Sequence, residues 1–378
     1  MQYHRIIFKF IPHKLIRSVR KKLNLNYFFF GPSKKNIGNY LVEERTFNFE
    51  LPAIDSIELG VEVAIGFNNT RILYQKRPLF LRKYVLEVSD CVIEPLYGWG
   101  IEFKSNKLIF DSISNNGWLE TYYPSYKNYK KNKDGAIFLE AAASINLTPG
   151  GDKNYWHFLH DILGQIVILR EFLKSGIPVI ISKELASMTF FKDALQRSAY
   201  LKSITWIVRE TGVYFRVGTA LFLQRMPNDN APFLSVRQLL EVPQSDQAKN
   251  RRIFLSRSKN RIRHLRNNKE VEELVNRYGF EVIDADSLSL DEQIILLGET
   301  RYIIGIHGAG LTNVLFRNNA QLSLLEILPA DYIQPHYFWL AKGIGHHYIP
   351  VVGSAYNADS SFSVDIKLLG KSIESMLA

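Results

Sequence analysis

The chain has 378 residues, 46% of them hydrophobic and 22% charged, which suits a folded protein of two ordinary domains and excludes a disordered polymer. A single cysteine, Cys91, excludes a disulfide framework and a cysteine-based zinc site, and fits a reducing compartment. The net charge of +10 is local: residues 1–35 hold nine Lys or Arg and no Asp or Glu, while the rest holds 38 basic against 37 acidic residues. The excess of positive charge therefore describes an arm, and argues against a nucleic-acid-binding body.

In that arm, Pro12 opens a basic amphipathic helix, with Leu15, Ile16, Val19 and Leu23 on one side and Lys14, Arg17, Lys21 and Lys22 on the other. Charges break its apolar runs too often for a signal peptide or a membrane span. Such a helix can lie on an anionic membrane surface, or pack on its own domain as a solvated helix. Residues 36–145 read as strand-rich and irregular, with β-type runs at 83–88 and 136–139. Two N-x-T sequences, at Asn68 and Asn146, stand without any other secretory sign and read as chance.

From 146 onward helices and strands alternate: a helix over 156–174, strands at 178–182, 204–208 and 219–223, and a helix between the first two. A stretch rich in Pro, Asn and Gln follows at 224–250, with a helix at 235–241. The second run begins with a strand at 252–258 and a helix closed by Gly279, then a strand and a helix to Thr300. It ends with the strand of RYIIGIHGAG and another at 323–329. Alternation of this kind predicts parallel sheets with helices on their faces, and ligands bind at the carboxyl ends of such strands. The division expected is an arm at 1–35, a first domain at 36–235, a linker at 236–250, a second domain at 251–355, and a C-terminal helix in 356–378 that packs back on the first domain.

Four places could carry chemistry. In HGAGLTN, His307 to Asn313, a glycine turn between a strand and a helix start presents free amides to an anion; a structural turn with a buried histidine is the bland alternative. In LSRSKNRIRHLR, Arg257, Arg261, Arg263 and Arg266 follow a strand, and arginine suits forked phosphate recognition; Arg257 is nearest the strand end. In NYWHFLHD, His157 and Asp161 stand four apart on one helix face, beside Asn154 and His160, and could take a proton from a hydroxyl; helix capping and a metal pair are the alternatives. Asp284-Ala285-Asp286 could hold a divalent cation, but it runs into Ser289, which reads as the N-cap of a helix containing Glu292. Glu326 is a lone acid in a strand and needs a partner.

Taken together, Asn154, His157 and Asp161, then Ser256-Arg257-Ser258, Arg263, Asn267 and Glu270, then Gln293, the run from Gly305 to Asn313, and Glu326 resemble glycosyltransferase family 61. That family includes plant xylosyl- and arabinosyltransferases, animal O-linked N-acetylglucosaminyltransferases and bacterial polysaccharide-synthesis proteins. The resemblance covers about 154–329. It implies a GT-B fold, two Rossmann-like domains facing a central cleft, and inverting transfer from a nucleotide sugar such as a UDP-sugar, with no metal or other cofactor required. It implies a donor half holding Arg257, Arg263, His307, Gly308, Ala309, Gly310, Leu311, Thr312, Asn313 and Glu326, with Glu326 at the nucleoside. The acceptor half would hold Asn154, His160 and the catalytic Asp161 or His157, with Asp161 the preferred base. One cysteine and no membrane anchor depart from the animal and plant members. They point to a bacterial, cytoplasm-facing enzyme of surface-polysaccharide assembly, held at the inner face of the cell membrane by its arm. Its acceptor would be a glycan or lipid-linked glycan, with no nucleic acid as partner. The competing readings are a membrane- or nucleic-acid-binding module built on the arm, and a non-catalytic family member.

Overall fold

The computed structural model describes residues 32–33, 41–44, 62–65, 71–74, 84–109, 112–113, 124–146, 151–173, 175–223, 231–257 and 262–378. The basic helix expected in the arm, Ser258 and Arg261 lie outside them.

Sixteen strands are described: β1 (Pro32–Ser33), β2 (Leu41–Glu44), β3 (Glu62–Ile65), β4 (Arg71–Tyr74), β5 (Tyr84–Ile93), β6 (Gly100–Glu102), β7 (Leu108–Ile109), β8 (Ile137–Ser144), β9 (Val179–Ser182), β10 (Trp206–Arg209), β11 (Phe215–Leu223), β12 (Arg251–Leu255), β13 (Glu281–Ile283), β14 (Thr300–Ile306), β15 (Ser323–Leu328) and β16 (His347–Val352). They form two sheets, and the molecule is an α/β protein built around them. The first runs β1-β7-β6-β5-β11-β8-β9-β10, with β2 also pairing β5. Strands β11, β8, β9 and β10 are mutually parallel, while β5 is antiparallel to β11 and continues into the antiparallel β6 and β7. The irregular strand-rich stretch and the start of the alternating stretch thus share one sheet. Parallel strands buried on both faces need unbroken apolar runs, and Val179–Ser182 is buried at every position.

The second sheet runs β13-β12-β14-β15-β16-β3-β4. Its first five strands are parallel, in the spatial order second, first, third, fourth, fifth. The chain moves outward from β12 to β13, then returns to the other side of β12 for β14. That reversal opens a crevice between the carboxyl ends of β12 and β14, where ligands of open α/β sheets bind. β3 pairs with β16 and β4 with β3, so part of the chain before residue 84 completes this second sheet. The C-terminal helix Ile366–Leu377 lies here as well, its Leu369, Ile373 and Met376 packed with Phe254, Ile304 and Leu325.

One continuous apolar cluster crosses from the first sheet to the second. It joins Phe158, Leu159, Ile162 and Ile166 to Leu311, Val314, Phe316 and Phe338. Polar ties reinforce the join. Arg237, in the helix Ala231–Leu239, donates from Nε to the Leu315 carbonyl at 2.5 Å and from Nη2 to the Arg317 carbonyl at 3.1 Å. Arg197 meets Asp291 at 2.5 Å, and Asp193 accepts the Leu290 amide at 3.1 Å. The capping box read at Ser289 and Glu292 is present. Among the described residues, no helix is long and apolar enough to cross a membrane.

Candidate active-site cleft

A cavity of about 870 Å³ opens between the two sheets. One wall carries Asn154, Tyr155 and His157; the other carries Arg257, Arg263 and the turn His307 to Leu311. Residues distant in sequence, from Asn154 to Leu311, are thereby brought together at the switch point of the second sheet.

The first wall begins with Asn154, whose Oδ1 caps the short helix Tyr155–His157 by accepting the Trp156 amide at 2.9 Å. The single long helix expected here is interrupted: Phe158–Ile162 makes a π turn, with the Leu163 amide reaching back five residues to the Phe158 carbonyl, before the helix Leu163–Leu173 resumes. π turns are frequent at functional sites because they displace side chains from the regular helical face. This one sets Asp161 between two histidines. Its Oδ2 meets His157 Nδ1 at 2.5 Å and its Oδ1 meets His160 Nδ1 at 2.9 Å.

Asp161 is 1% exposed and does not face the cleft. Burial opposes its ionisation, yet the charges and hydrogen bonds of His160 and His157 outweigh burial and hold its carboxyl well below the usual carboxylate range. An ionised Asp161 requires each histidine to donate Nδ1–H to it. The side chain that reaches the cleft is His157, 23% exposed, with Nε2 as its remaining ring nitrogen. This differs from the sequence reading, which preferred Asp161 as the group in contact with substrate; a buried carboxylate whose two oxygens are taken by His157 and His160 does not also reach a ligand. His160 is buried as well, stacked on Trp156 at 5.4 Å and against Phe233 at 5.1 Å, and lines no part of the cleft.

On the second wall, Arg257 follows β12 and His307 follows β14. Arg257 donates from Nη1 to the His307 carbonyl at 2.8 Å, and its guanidinium lies flat against Gly308. A Cβ at Gly308 would stand 2.5 Å from Nη1, so glycine is required here for close approach. The turn then enters the 3-10 helix Ala309–Phe316, whose first residues Ala309 and Gly310 line the cavity. Arg263 holds a left-handed backbone conformation, φ 65°, and its guanidinium stands 5.4 Å over the ring of Tyr332.

The rest of HGAGLTN has a supporting place. Leu311 covers Gly305, where an added Cβ would fall 2.5 Å from its Cδ2. Thr312 is buried and donates to the Ala309 carbonyl at 2.7 Å. Asn313 is buried and donates to Gln293 Oε1 at 2.5 Å, and Gln293 in turn lines the cleft. Glu326 also differs from its sequence reading. It is fully buried and lines no part of the cleft, because Oε1 meets His307 Nδ1 at 2.5 Å and Oε2 accepts the Tyr348 hydroxyl at 2.6 Å.

Asp284 and Asp286 line the cleft after β13, where Asp284 accepts the Asp286 amide at 3.1 Å. Among the described residues, no group of three or more His, Cys, Asp or Glu is placed to hold a metal ion. Sequence reasoning missed Tyr332 and Tyr337, which pack on His307 at 5.6 and 5.2 Å. The aromatic run DYIQPHYFWL after β15 was their only signal.

No curated protein sequence matches the chain. Residues 155–322, which hold His157, Asp161, Arg257 and the HGAG turn, match the family model described as Glycosyltransferase 61, and this central match supports a glycosyltransferase-type function.

Proposed function

We propose that the protein is an inverting glycosyltransferase of family 61 with a GT-B arrangement, moving a sugar from a nucleotide sugar, UDP-linked as the first candidate, to a hydroxyl of a surface glycan or lipid-linked glycan. The observation that carries this reading is the cleft itself: an arginine and a glycine turn at the switch point on one wall, and a histidine backed by a buried carboxylate on the other.

In this reading the diphosphate lies against the second wall. Arg257 and Arg263 supply positive charge, and the amides that open the Ala309–Phe316 helix supply oriented dipoles for the leaving group. The acceptor enters from the first wall. His157 Nε2 takes the proton of the attacking hydroxyl as its oxygen bonds to C1, while the C1–O bond to the diphosphate breaks and leaves its electron pair on the phosphate oxygen. Asp161 fixes the ring and stabilises the imidazolium that forms, the role of the buried carboxylate in hydrolase triads. The transfer needs no metal because the arginines and amides carry the leaving charge. The arm at 1–35 holds the enzyme on the anionic inner face of the cell membrane, near its acceptor.

The test is a thermal-shift screen of the full chain against nucleotide sugars and their nucleoside diphosphates, followed by release assays with the binders. A ligand at about 100 times its Kd stabilises the folded chain by about 2.7 kcal/mol, which is readily measured. Stabilisation by a nucleotide sugar with release of its diphosphate is expected. The absence of both across the common donors refutes the reading.

A further inference from the structure

The second wall contains a buried hydrogen-bonded chain that the transfer scheme leaves unused. Strand register assembles it. Glu326 on β15 lies opposite Gly305 on β14 and Pro350 on β16, and Tyr348 is two residues before Pro350, on the same face of its strand. Tyr348 therefore reaches Glu326 from one side, while His307, just past the end of β14, reaches it from the other. Tyr348 and Glu326 are 5% and 0% exposed.

The chain has a direction. A phenol has one proton to give, and Tyr348 gives it to Glu326 Oε2 at 2.6 Å. That leaves Oε1, 2.5 Å from His307 Nδ1, as an acceptor, so His307 carries a proton on Nδ1. Nε2 is then the ring nitrogen left for the cleft that His307 lines. Tyr332 and Tyr337 pack on the ring, and Arg257 grips the His307 carbonyl, so neither the ring nor its backbone is free to turn.

We propose that Glu326 and Tyr348 are positioning residues, which lock His307 with Nδ1–H on the carboxylate and present Nε2 to the reacting end of the glycosyl donor. The proposal rests on the donor-wall reading above. It places on this wall a counterpart of the His157–Asp161 pair, each imidazole anchored through Nδ1 to a carboxylate kept out of the cleft. Outer partners of this kind typically set about 10–100-fold of activity in metal sites, where they fix the ring of a ligating histidine in the same way.

Nitrogen-labelled histidine in the full chain, with the His307 signals assigned through His307→Asn, reads the chain without requiring activity. A downfield Nδ1 proton is expected in the wild type. Glu326→Gln exchanges a charged acceptor for a neutral one, so the resonance should move upfield. Tyr348→Phe strips a competing donor from the carboxylate and should move it further downfield. These opposite movements are ones that simple loosening of the core would not produce. In assays with the nucleotide sugar found to bind, Tyr348→Phe should lower kcat about 10-fold and leave KM within about twofold. A proton on Nε2 instead of Nδ1, an unmoved resonance in Glu326→Gln, or wild-type kcat in Tyr348→Phe overturns the proposal. If Glu326→Gln does not fold, Tyr348→Phe, of nearly the same volume, decides it. A wild type that turns over no nucleotide sugar refutes the transferase reading, and the resonances still decide the positioning chain.

Discussion

Gly308 offers the sharpest test of the proposed phosphate wall. Its φ of 169° is ordinary extended backbone, so alanine brings no backbone strain. The new Cβ would stand 2.5 Å from Arg257 Nη1 and 2.8 Å from both Cζ and Nη2, distances no methyl group tolerates. The obstacle is the far end of a flexible side chain, so the guanidinium swings away and the fold loses about 1 kcal/mol or less. Arg257 then loses its 2.8 Å bond to the His307 carbonyl, and with it the pose that aims the guanidinium at the cleft. A hydrogen bond involving a charged group contributes about 1.5–3 kcal/mol, so anion affinity should fall about 10- to 150-fold. The assay is calorimetric titration of uridine diphosphate and inorganic pyrophosphate into wild type, Gly308→Ala, Arg257→Ala and the double variant. Because Gly308→Ala acts by displacing Arg257, the double variant should bind as Arg257→Ala does, with strong non-additivity. Wild-type affinity in Gly308→Ala, or two losses that simply add, refutes the argument.

The first wall is tested by Asp161→Asn, which removes the anionic partner of both His157 and His160 and leaves one acceptor oxygen between them. Turnover should fall by about 100-fold or more while diphosphate affinity, set on the other wall, stays within about twofold. Chemical denaturation should show a loss of about 3–5 kcal/mol from breaking a buried charged cluster. His346 predicts an acid-labile fold. Burial first, then the charge of Arg237, pushes its imidazole down to about 3 from an ordinary 6.5. Its Nε2 donates to the Val314 carbonyl at 3.1 Å, and its Nδ1 is buried without a partner. The unfolded chain therefore takes up a proton below about pH 6.5 that the folded chain refuses until about pH 3, so stability falls with pH across that window. At two units below 6.5 the loss attributable to this group is about 3 kcal/mol. His346→Gln should flatten the urea-denaturation stability profile between pH 6.5 and 4.5, and an unchanged slope refutes the assignment.

The parts of the site legible in the sequence are those that local chemistry specifies. Arg257 beyond an apolar strand, the glycines after RYIIGI, and His157 with Asp161 four residues later each declare a turn or a shared face within a few positions. What was not legible depends on direction and on distant pairing. Whether Asp161 or His157 meets the cleft is settled by the π turn, which a regular helical wheel does not contain. The partner of Glu326 is settled by the register of β15 against β14 and β16, and Tyr348 has no local feature that marks it. The pairing of β3 with β16 is likewise long-range, since a strand edge accepts any suitable run regardless of where it falls in the chain. The glycines read as a turn that lets the backbone approach an anion closely; that Gly308 also leaves space to the Arg257 guanidinium depends on a distant residue.

The two walls are also mechanically one object. His160 stacks on Trp156, Trp156 meets the edge of Tyr337 at 5.2 Å, and Tyr337 packs on His307 at 5.2 Å. A line of aromatic rings thus runs from the cluster that fixes His157 to the histidine of the HGAG turn. Beneath it, Phe158 and Ile162 share one apolar cluster with Leu311 and Val314. Because interiors are close-packed, a volume change at either end of that line is felt at the other. The proposed transfer, between a donor on one wall and an acceptor on the other, depends on reacting atoms held about 3–3.5 Å apart, and a 1 Å error there can cost about 100-fold. A shared core fixes that separation more tightly than a flexible linker between separate cores would. On this argument Trp156, in the middle of that line, controls the spacing between the two walls. Trp156→Phe keeps an aromatic of smaller size in the line, and it should lower kcat while diphosphate affinity holds. Unchanged turnover would show that the walls are set independently.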